Sequence, residues 1–470
     1  MSDVKNTPEF DELDYAPLDP DTGFSLSPEF VAEIVEVIER EDLTAARHLV
    51  YPLPAPDQAE LFEQLTPDQR HWLTEAIAAE FDSDMLAELS PDAAEDVIEA
   101  LGTAKSAEML AELETDDAVH ILEDLGEEEQ QELLDVMPQE IREEVEEGLT
   151  YPEASAGRLM RKTLVAVPDF WTVGDTIDFL RGADSLPESF YIIYMVDAAF
   201  MPTGRVLLGT MLAHKRETPL RDISNPNIYA ATTTTDQEEV AYLFRKYALV
   251  ETPVVDETGM LVGTITVDDV VDVIQEEEEE DYLRAGGVTG QDFQSGIFET
   301  VRARFGWLFV NLLTAILAAG VISLFEGTIE QIVVLAAIMP MVASMGGNTG
   351  TQTITVAVRA IATKHLTHAN SGSYIRKEML IGFLNGAGLG LIMGIGVYLR
   401  FHDIQIALVM MLANTTTMTM AGLWGSIIPI FLNRRGFDPA ISSAIFLTTV
   451  TDCVGFFSFL GLATLILLHH

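Results

Sequence analysis

Hydrophobic and polar positions follow two rhythms along the chain. In the C-terminal third, apolar residues run almost unbroken through 305–325, 332–357, 379–399, 404–432 and 440–468. Each run exceeds the roughly 20 residues a helix needs to cross about 30 Å of hydrocarbon. The first four hold no Asp, Glu, Lys or Arg, and the fifth holds one, Asp452. The pattern predicts a five-helix transmembrane bundle over residues 301–470. Upstream the rhythm is helical and repeated: Leu61, Met85, Met109 and Leu133 stand 24 residues apart. So do Leu65, Leu89, Leu113 and Met137; Leu73, Val97, Ile121 and Val145; and Ile77, Leu101, Leu125 and Leu149. Thr66, Ser90 and Thr115, each before Pro or Asp, mark helix starts. Such units cannot cover their own apolar faces, so residues 28–150 are expected to stack into an α-helical solenoid.

Residues 151–275 change to alternation typical of strands. Stretches 163–167, 191–196 and 206–211 are β-rich, with an amphipathic helix at 172–180. The order recurs as a strand at 228–233, a helix at 236–247 that Asp236 and Glu239 open in the manner of a capping box, strands at 252–255 and 261–266, and a helix from Asp268. This predicts two α/β units in tandem, 151–212 and 213–275. Residues 1–27 are acidic, Pro-containing and aperiodic, and are expected to be a flexible tail.

Charge divides the chain at the same place. Of 75 acidic and 26 basic residues, 69 and 17 lie in residues 1–300, and 6 and 9 in residues 301–470. The net charge of -49 excludes a nucleic-acid binder, whose footprint is basic. Only the apolar third lifts the mean hydropathy to +0.21. With the N-terminus in the cytosol, Arg302, Arg304, Arg359, Lys364, Arg376, Lys377, Arg434 and Arg435 lie inside and only Arg400 outside, which orients the C-terminus externally. No basic, apolar leader opens the chain, so a cleaved signal peptide is not expected. The single Cys453 excludes an intrachain disulfide framework. High Asp and Glu with only 7 Lys against 19 Arg also suits a salty cytosol, so local clusters carry more information than the bulk surplus.

Three clusters stand out. Asp268, Asp269, Asp272 and the run Glu276–Asp281 crowd one helix over 268–300, with Asp269, Asp272, Glu276 and Glu280 on one stripe. Like charges at this density repel. The run is either a solvated acidic linker or a divalent-cation site, whose hard oxygens favour Mg²⁺ or Ca²⁺. Asp452 in mid-membrane costs about 2.5–3.5 kcal/mol on insertion scales. It is expected to face water, a cation or a partner, beside the hydroxyls of Thr448, Thr449 and Thr451; the alternative is a protonated acid bonded to a neighbouring helix. In the second apolar run, Pro340, Gly346 and Gly347 are expected to break the helix, freeing carbonyls beside Asn348 and Thr351; in the fourth, Asn414-Thr415-Thr416-Thr417 adds uncharged oxygen ligands. Gly382, Gly386, Gly390 and Gly394 recur every four residues, a face for close helix approach.

The run from Leu261 to Asp269 (Leu-Val-Gly-Thr-Ile-Thr-Val-Asp-Asp) resembles the end of a cystathionine-β-synthase-type (CBS) domain, a module that in some families binds adenosine nucleotides such as ATP; the first unit has a weaker ending. The order of solenoid, CBS pair, acidic connecting helix and spans, with Tyr151-Pro-Glu-Ala-Ser-Ala-Gly-Arg-Leu-Met160, Pro340 with Gly346-Gly347-Asn348, and Thr451-Asp452, resembles the MgtE family of magnesium transporters over about residues 30–470. The resemblance implies a homodimeric Mg²⁺ channel of the plasma membrane, with Asp452 in the pore. It implies regulatory Mg²⁺ held by Asp116, Asp236, Asp269, Glu277, Glu280, Asp281 and Asp438, in negative feedback through the connecting ("plug") helix. The pattern departs at His120 and Ala248, where acids can stand, and at Thr351, where Asn can stand. A secondary exchanger of divalent cations against Na⁺ or H⁺ is the alternative. No nucleophile–base pair or phosphate loop on a soluble segment points to an enzyme, and a mid-membrane Asp suits an anion channel poorly.

Overall fold

The computed structural model describes residues 25–79, 81–183, 186–187, 189–285, 297–437 and 439–468. The expected tail up to residue 24, residues 286–296 of the connecting segment and Asp438 lie outside the described residues, as does the side chain of Asp281. The chain divides into two units, Met1–Gln275 and Glu276–His470.

The first unit begins with ten short helices: α1 (Pro28–Glu39), α2 (Leu43–Val50), α3 (Ala55–Glu63), α4 (Pro67–Ile77), α5 (Asp84–Ala87), α6 (Pro91–Leu101), α7 (Thr103–Leu110), α8 (Thr115–Asp124), α9 (Glu127–Val136) and α10 (Gln139–Thr150). The 24-residue period is the packing period. Leu61, Met85, Met109 and Leu133 are all at most 1% exposed, and Leu73, Val97 and Val145 are fully buried. Thr66 closes a capping box with Gln69 at the start of α4, and Ser90 stands at the N-cap of α6. At α8 the cap falls one residue earlier than expected, on Glu114.

Two three-stranded sheets follow, with one topology. β1 (Ala166–Pro168) pairs parallel with β2 (Ile192–Val196), which pairs antiparallel with β3 (Pro202–Leu207); α11 (Val173–Gly182) connects the first two. Helices α12 (Leu208–Leu212) and α13 (Leu220–Ile223) close the unit. The second copy runs β4 (Ala231–Thr232), α14 (Gln237–Tyr247), β5 (Glu251–Val255) and β6 (Leu261–Thr266), with the same pairings and an irregularity at the matching point of the middle strand. The strand expected at 206–211 starts and ends earlier: β3 stops at Leu207 and the next five residues are helical. Alternation cannot locate that switch, because Leu207-Leu208 is apolar in either state.

The two sheets are stitched by a buried carboxylate. Glu251, 2% exposed, accepts from the backbone N–H groups of Tyr191 and Ile192, each at 3.2 Å, and from Thr264 Oγ1 at 3.1 Å. Burial raises its pKa, and those donors oppose the rise. Glu251→Leu would strand the buried Ile192 N–H and the part-buried Tyr191 N–H and is expected to cost about 2–4 kcal/mol, whereas Glu251→Gln keeps one acceptor and costs less. Thermal melts of the purified variants check the order.

The unit boundary falls inside α15 (Val267–Ala285), which is helical throughout. Its first half is anchored by Val270 and Val273, both nearly fully buried against Met160, Val240 and Phe244.

The second unit holds α16 (Ile297–Ser323), α17 (Glu326–Gln331), α18 (Val334–Ala362), α19 (Ser371–Phe401), α20 (Ile404–Arg434) and α21 (Pro439–Leu467). Among the described residues four helices are long and apolar enough to cross a membrane: Thr300–Ser323, Ser371–Phe401, Ile404–Arg434 and Phe446–Leu467. The expected span at 332–357 forms the 29-residue α18 but is less apolar than these four, because polar and glycine residues from Ser344 to Gln352 dilute it. The expected helix break is corrected: α18 is continuous, with Pro340 inside it. Its glycines serve close packing instead. A methyl group at Gly346 would lie 2.6 Å from Thr417 Cγ2, and one at Gly350 would lie 2.6 Å from Leu447 Cδ2. The α19 glycine stripe seats the backbone of α20: a methyl at Gly382 would land on the Met418 carbonyl oxygen, at Gly386 2.8 Å from Thr415 Cα, and at Gly390 2.8 Å from the Met411 carbonyl oxygen.

Candidate ion pathway and acidic junction

In the second unit, the sequence of α18 sorts its residues by face. Gly346, Thr349, Gly350, Thr353 and Ala357 are buried against neighbouring helices. Ser344, Asn348, Thr351 and Thr355, at spacings of 4, 3 and 4, are exposed. That exposed stripe is polar within an apolar bundle, and polar side chains in a membrane face protein or water rather than lipid.

α21 passes on the other side of Gly346. Thr451, 2% exposed, has its Cβ 3.8 Å from a methyl built at Gly346, and its hydroxyl donates to the Thr448 carbonyl at 3.1 Å. Thr417 Oγ1 and Ser458 Oγ, 3.1 Å apart, tie α20 to α21. Asp452 follows Thr451 and is half-buried. Among the described residues it has no ion-pair partner. Thr448 is exposed.

Asn414 lies elsewhere. It is fully buried in the seam between α19 and α20, where its Nδ2 donates to the Gly386 carbonyl at 3.2 Å, and its Oδ1 has no hydrogen-bond partner. One acid went unnoticed in the sequence. Glu378, 9% exposed, receives Thr353 Oγ1 at 3.4 Å. A carboxylate bordering an apolar run was the available signal.

In the first unit, acids gather where the solenoid meets the second α/β unit. Asp116, on the first turn of α8, is 6% exposed; Asp268 and Asp269 open α15. Asp269 also caps its helix, accepting from Thr266 N at 3.2 Å and Thr266 Oγ1 at 2.7 Å. Arg161 joins the two sides: Nη1 to Glu114 at 2.6 Å, Nε to Asp116 at 3.1 Å, and Nη2 to Asp268 at 3.2 Å and Asp269 at 2.6 Å. Asp116 Oδ1 is buried with no hydrogen-bond partner.

Burial, then the nearby Asp269, raises the pKa of Asp116, and the same causes push Asp117 up to about 6. Burial and then Asp272 raise Glu88; burial and then Asp269 and Asp268 raise Asp272. Acids on the solenoid and acids on α15 therefore already feel each other, and the sequence reading had passed over Glu88, Glu114 and Asp117. Outside the four acids that Arg161 pairs with, Glu88, Asp117 and Asp272 offer only hard oxygens, which suit a divalent cation such as Mg²⁺. Among the described residues no three His, Cys, Asp or Glu side chains converge into a closed metal cage.

Of the other expected regulatory residues, Asp236 is exposed at the N-cap of α14, accepting from Glu238 N at 2.9 Å. Glu277 and Glu280 are half-buried on the acidic half of α15, and Glu280 pairs with Arg284 one turn on.

A helical module, a pair of α/β units, several long apolar helices and a further long helix with an exposed polar stripe define a multidomain membrane transport protein. Residues 339–462 match the family of divalent cation transporters (MgtE), residues 53–154 the MgtE intracellular N domain, and residues 220–276 the CBS domain. The magnesium transporter MgtE of Thermus thermophilus is 35% identical over 336 residues, 71% of this chain and 74% of that one. That of Enterococcus faecalis is 31% identical over 322 residues, 68% of this chain and 71% of that one. A crystal structure of the cytosolic domain of the Mg²⁺ channel MgtE in complex with ATP is 32% identical, covers 52% of this chain and 99% of that one, and has a TM-score of 0.47. The chain belongs to the MgtE family of magnesium transporters.

Proposed function

We propose that this chain is a Mg²⁺-selective channel for magnesium uptake across the plasma membrane, built as a homodimer with five spans per protomer. The solenoid and CBS pair are cytosolic, and the C-terminus is external. The observation that carries the reading is the exposed stripe Ser344, Asn348, Thr351 and Thr355 on α18. A fifth span with that face is stable in a membrane if it lines water, and a second copy of the chain would complete the wall. Asp452, half-buried and without an ion-pair partner among the described residues, supplies one carboxylate per chain. Mg²⁺ dehydrates reluctantly and is commonly held through its waters by one or two carboxylates, which two chains provide.

The channel is closed by cytosolic divalent cation. Away from Arg161, acids of the solenoid and of α15, such as Glu88 and Asp272, repel one another, and a bound divalent cation supplies the charge that lets them approach. Binding favours the closed state only by its differential affinity for that state. ATP at the CBS pair is a second ligand of this reading, resting on the likeness of residues 220–276 to a CBS domain; calorimetric titration of the purified chain with ATP checks it.

Flux into liposomes containing the purified protein tests the whole. Mg²⁺ is expected to enter down its gradient without a counter-ion and to give single-channel currents. Obligatory movement of Na⁺ or H⁺ against Mg²⁺ would establish exchange instead.

A further inference from the structure

Basic residues are scarce in the first 300 positions, 17 against 69 acids. Three of them fall within five residues, at Arg158, Arg161 and Lys162, and all three reach the solenoid. Arg158 Nη1 meets Glu123 at 2.8 Å, Lys162 meets Glu147 at 2.6 Å, and Arg161 meets Glu114 and Asp116. Arg161 alone also reaches the second CBS domain, through Asp268 and Asp269. Its side chain is 13% exposed, and Nε, Nη1 and Nη2 each hold at least one carboxylate. A guanidinium is never deprotonated in a protein, and its planar fork matches carboxylates as a point charge does not.

We propose that Arg161 is a tethered counter-cation that keeps the solenoid fastened to the second CBS domain without a metal ion. Mg²⁺ demands near-octahedral oxygen ligands, and the guanidinium, paired with all four carboxylates, already fills the place and supplies the positive charge that such an ion would bring. Arg161 therefore takes the central place among Glu114, Asp116, Asp268 and Asp269. The part of the cytosolic machinery that responds to divalent cation lies away from this contact, among acids that Arg161 does not reach. The inference rests on the reading of these acids as regulatory and names which of their contacts is constitutive.

Hydrogen exchange on the full-length protein in lipid nanodiscs tests it, comparing EDTA with millimolar MgCl₂ at fixed ionic strength. In the native chain, peptides covering 113–124 and 264–274 are expected to exchange equally slowly in both. In Arg161→Gln, the same peptides are expected to exchange roughly tenfold or more faster in EDTA, the scale of losing charged hydrogen bonds. Added MgCl₂ is expected to restore their protection, which also shows that the variant is folded. Arg161→Lys, which keeps the charge and loses the fork, should fall between. Loss of protection in the native chain on EDTA treatment overturns the proposal without recourse to any variant, and so does unchanged exchange in a folded Arg161→Gln. Failure of Mg²⁺ flux in liposomes would instead overturn the channel reading and leave the exchange result standing.

Discussion

Asp452→Asn is expected to give a chain that inserts, assembles as the native protein does and conducts almost no Mg²⁺. The substitution keeps the shape of the side chain and removes its charge. A carboxylate and a dication about 5 Å apart attract by roughly 1.7 kcal/mol even at the dielectric of bulk water. Two chains contribute two such terms, so losing both is worth about 3 kcal/mol, a factor of roughly 100 in occupancy. No basic side chain among the described residues offsets that charge. Uptake of Mg²⁺ into liposomes, read beside size-exclusion light scattering, separates lost conduction from lost assembly. Near-normal uptake by the variant would remove Asp452 from the pathway.

Much of this arrangement was legible because it is periodic. Leu61, Met85, Met109 and Leu133 repeat every 24 residues because one helix pair stacks on the next, and all four are buried. The stripe Gly382, Gly386, Gly390 and Gly394 repeats every fourth residue because one helix face must admit the backbone of α20. Both patterns are written within a short stretch of chain.

What was not legible depends on groups far apart in sequence. Arg161 and Asp269 are 108 residues apart, and Glu251 bridges to Ile192 over 59. No local period announces either contact. The run at Gly346 misled for a related reason. Two adjacent glycines and a nearby proline lower helix propensity in water, but tertiary packing decided the outcome. Thr417 and Leu447 fill the space a side chain would need, and the helix continues. Asn414 shows the same limit, since its polarity was evident and its place in the seam with Gly386 was not.

The acidic half of α15 leads to the second large expected effect. Neutralising Glu277, Glu280 and Asp281 together, as Glu277→Gln, Glu280→Gln and Asp281→Asn, should leave Mg²⁺ currents flowing at internal Mg²⁺ concentrations that silence the native channel. The helix is formed through Ala285 although acids occupy every position from 276 to 281. Like charges one turn apart oppose a helix by about 0.2–0.5 kcal/mol per pair. One such charge, on Glu280, is met by Arg284. A cation that binds this surface more tightly when the channel is closed shifts the equilibrium by that difference alone. Removing three of the charges that draw it should raise the half-inhibiting Mg²⁺ concentration by roughly tenfold or more, the equivalent of about 1.4 kcal/mol. If Arg161 already holds the junction between solenoid and second CBS domain, the effect should be larger here than for Asp116→Asn. Inside-out patches exposed to rising Mg²⁺ measure both variants on one scale. Inhibition that stays at the native concentration in the triple variant would reduce this half of α15 to a solvated connector and place the sensor elsewhere among the acids.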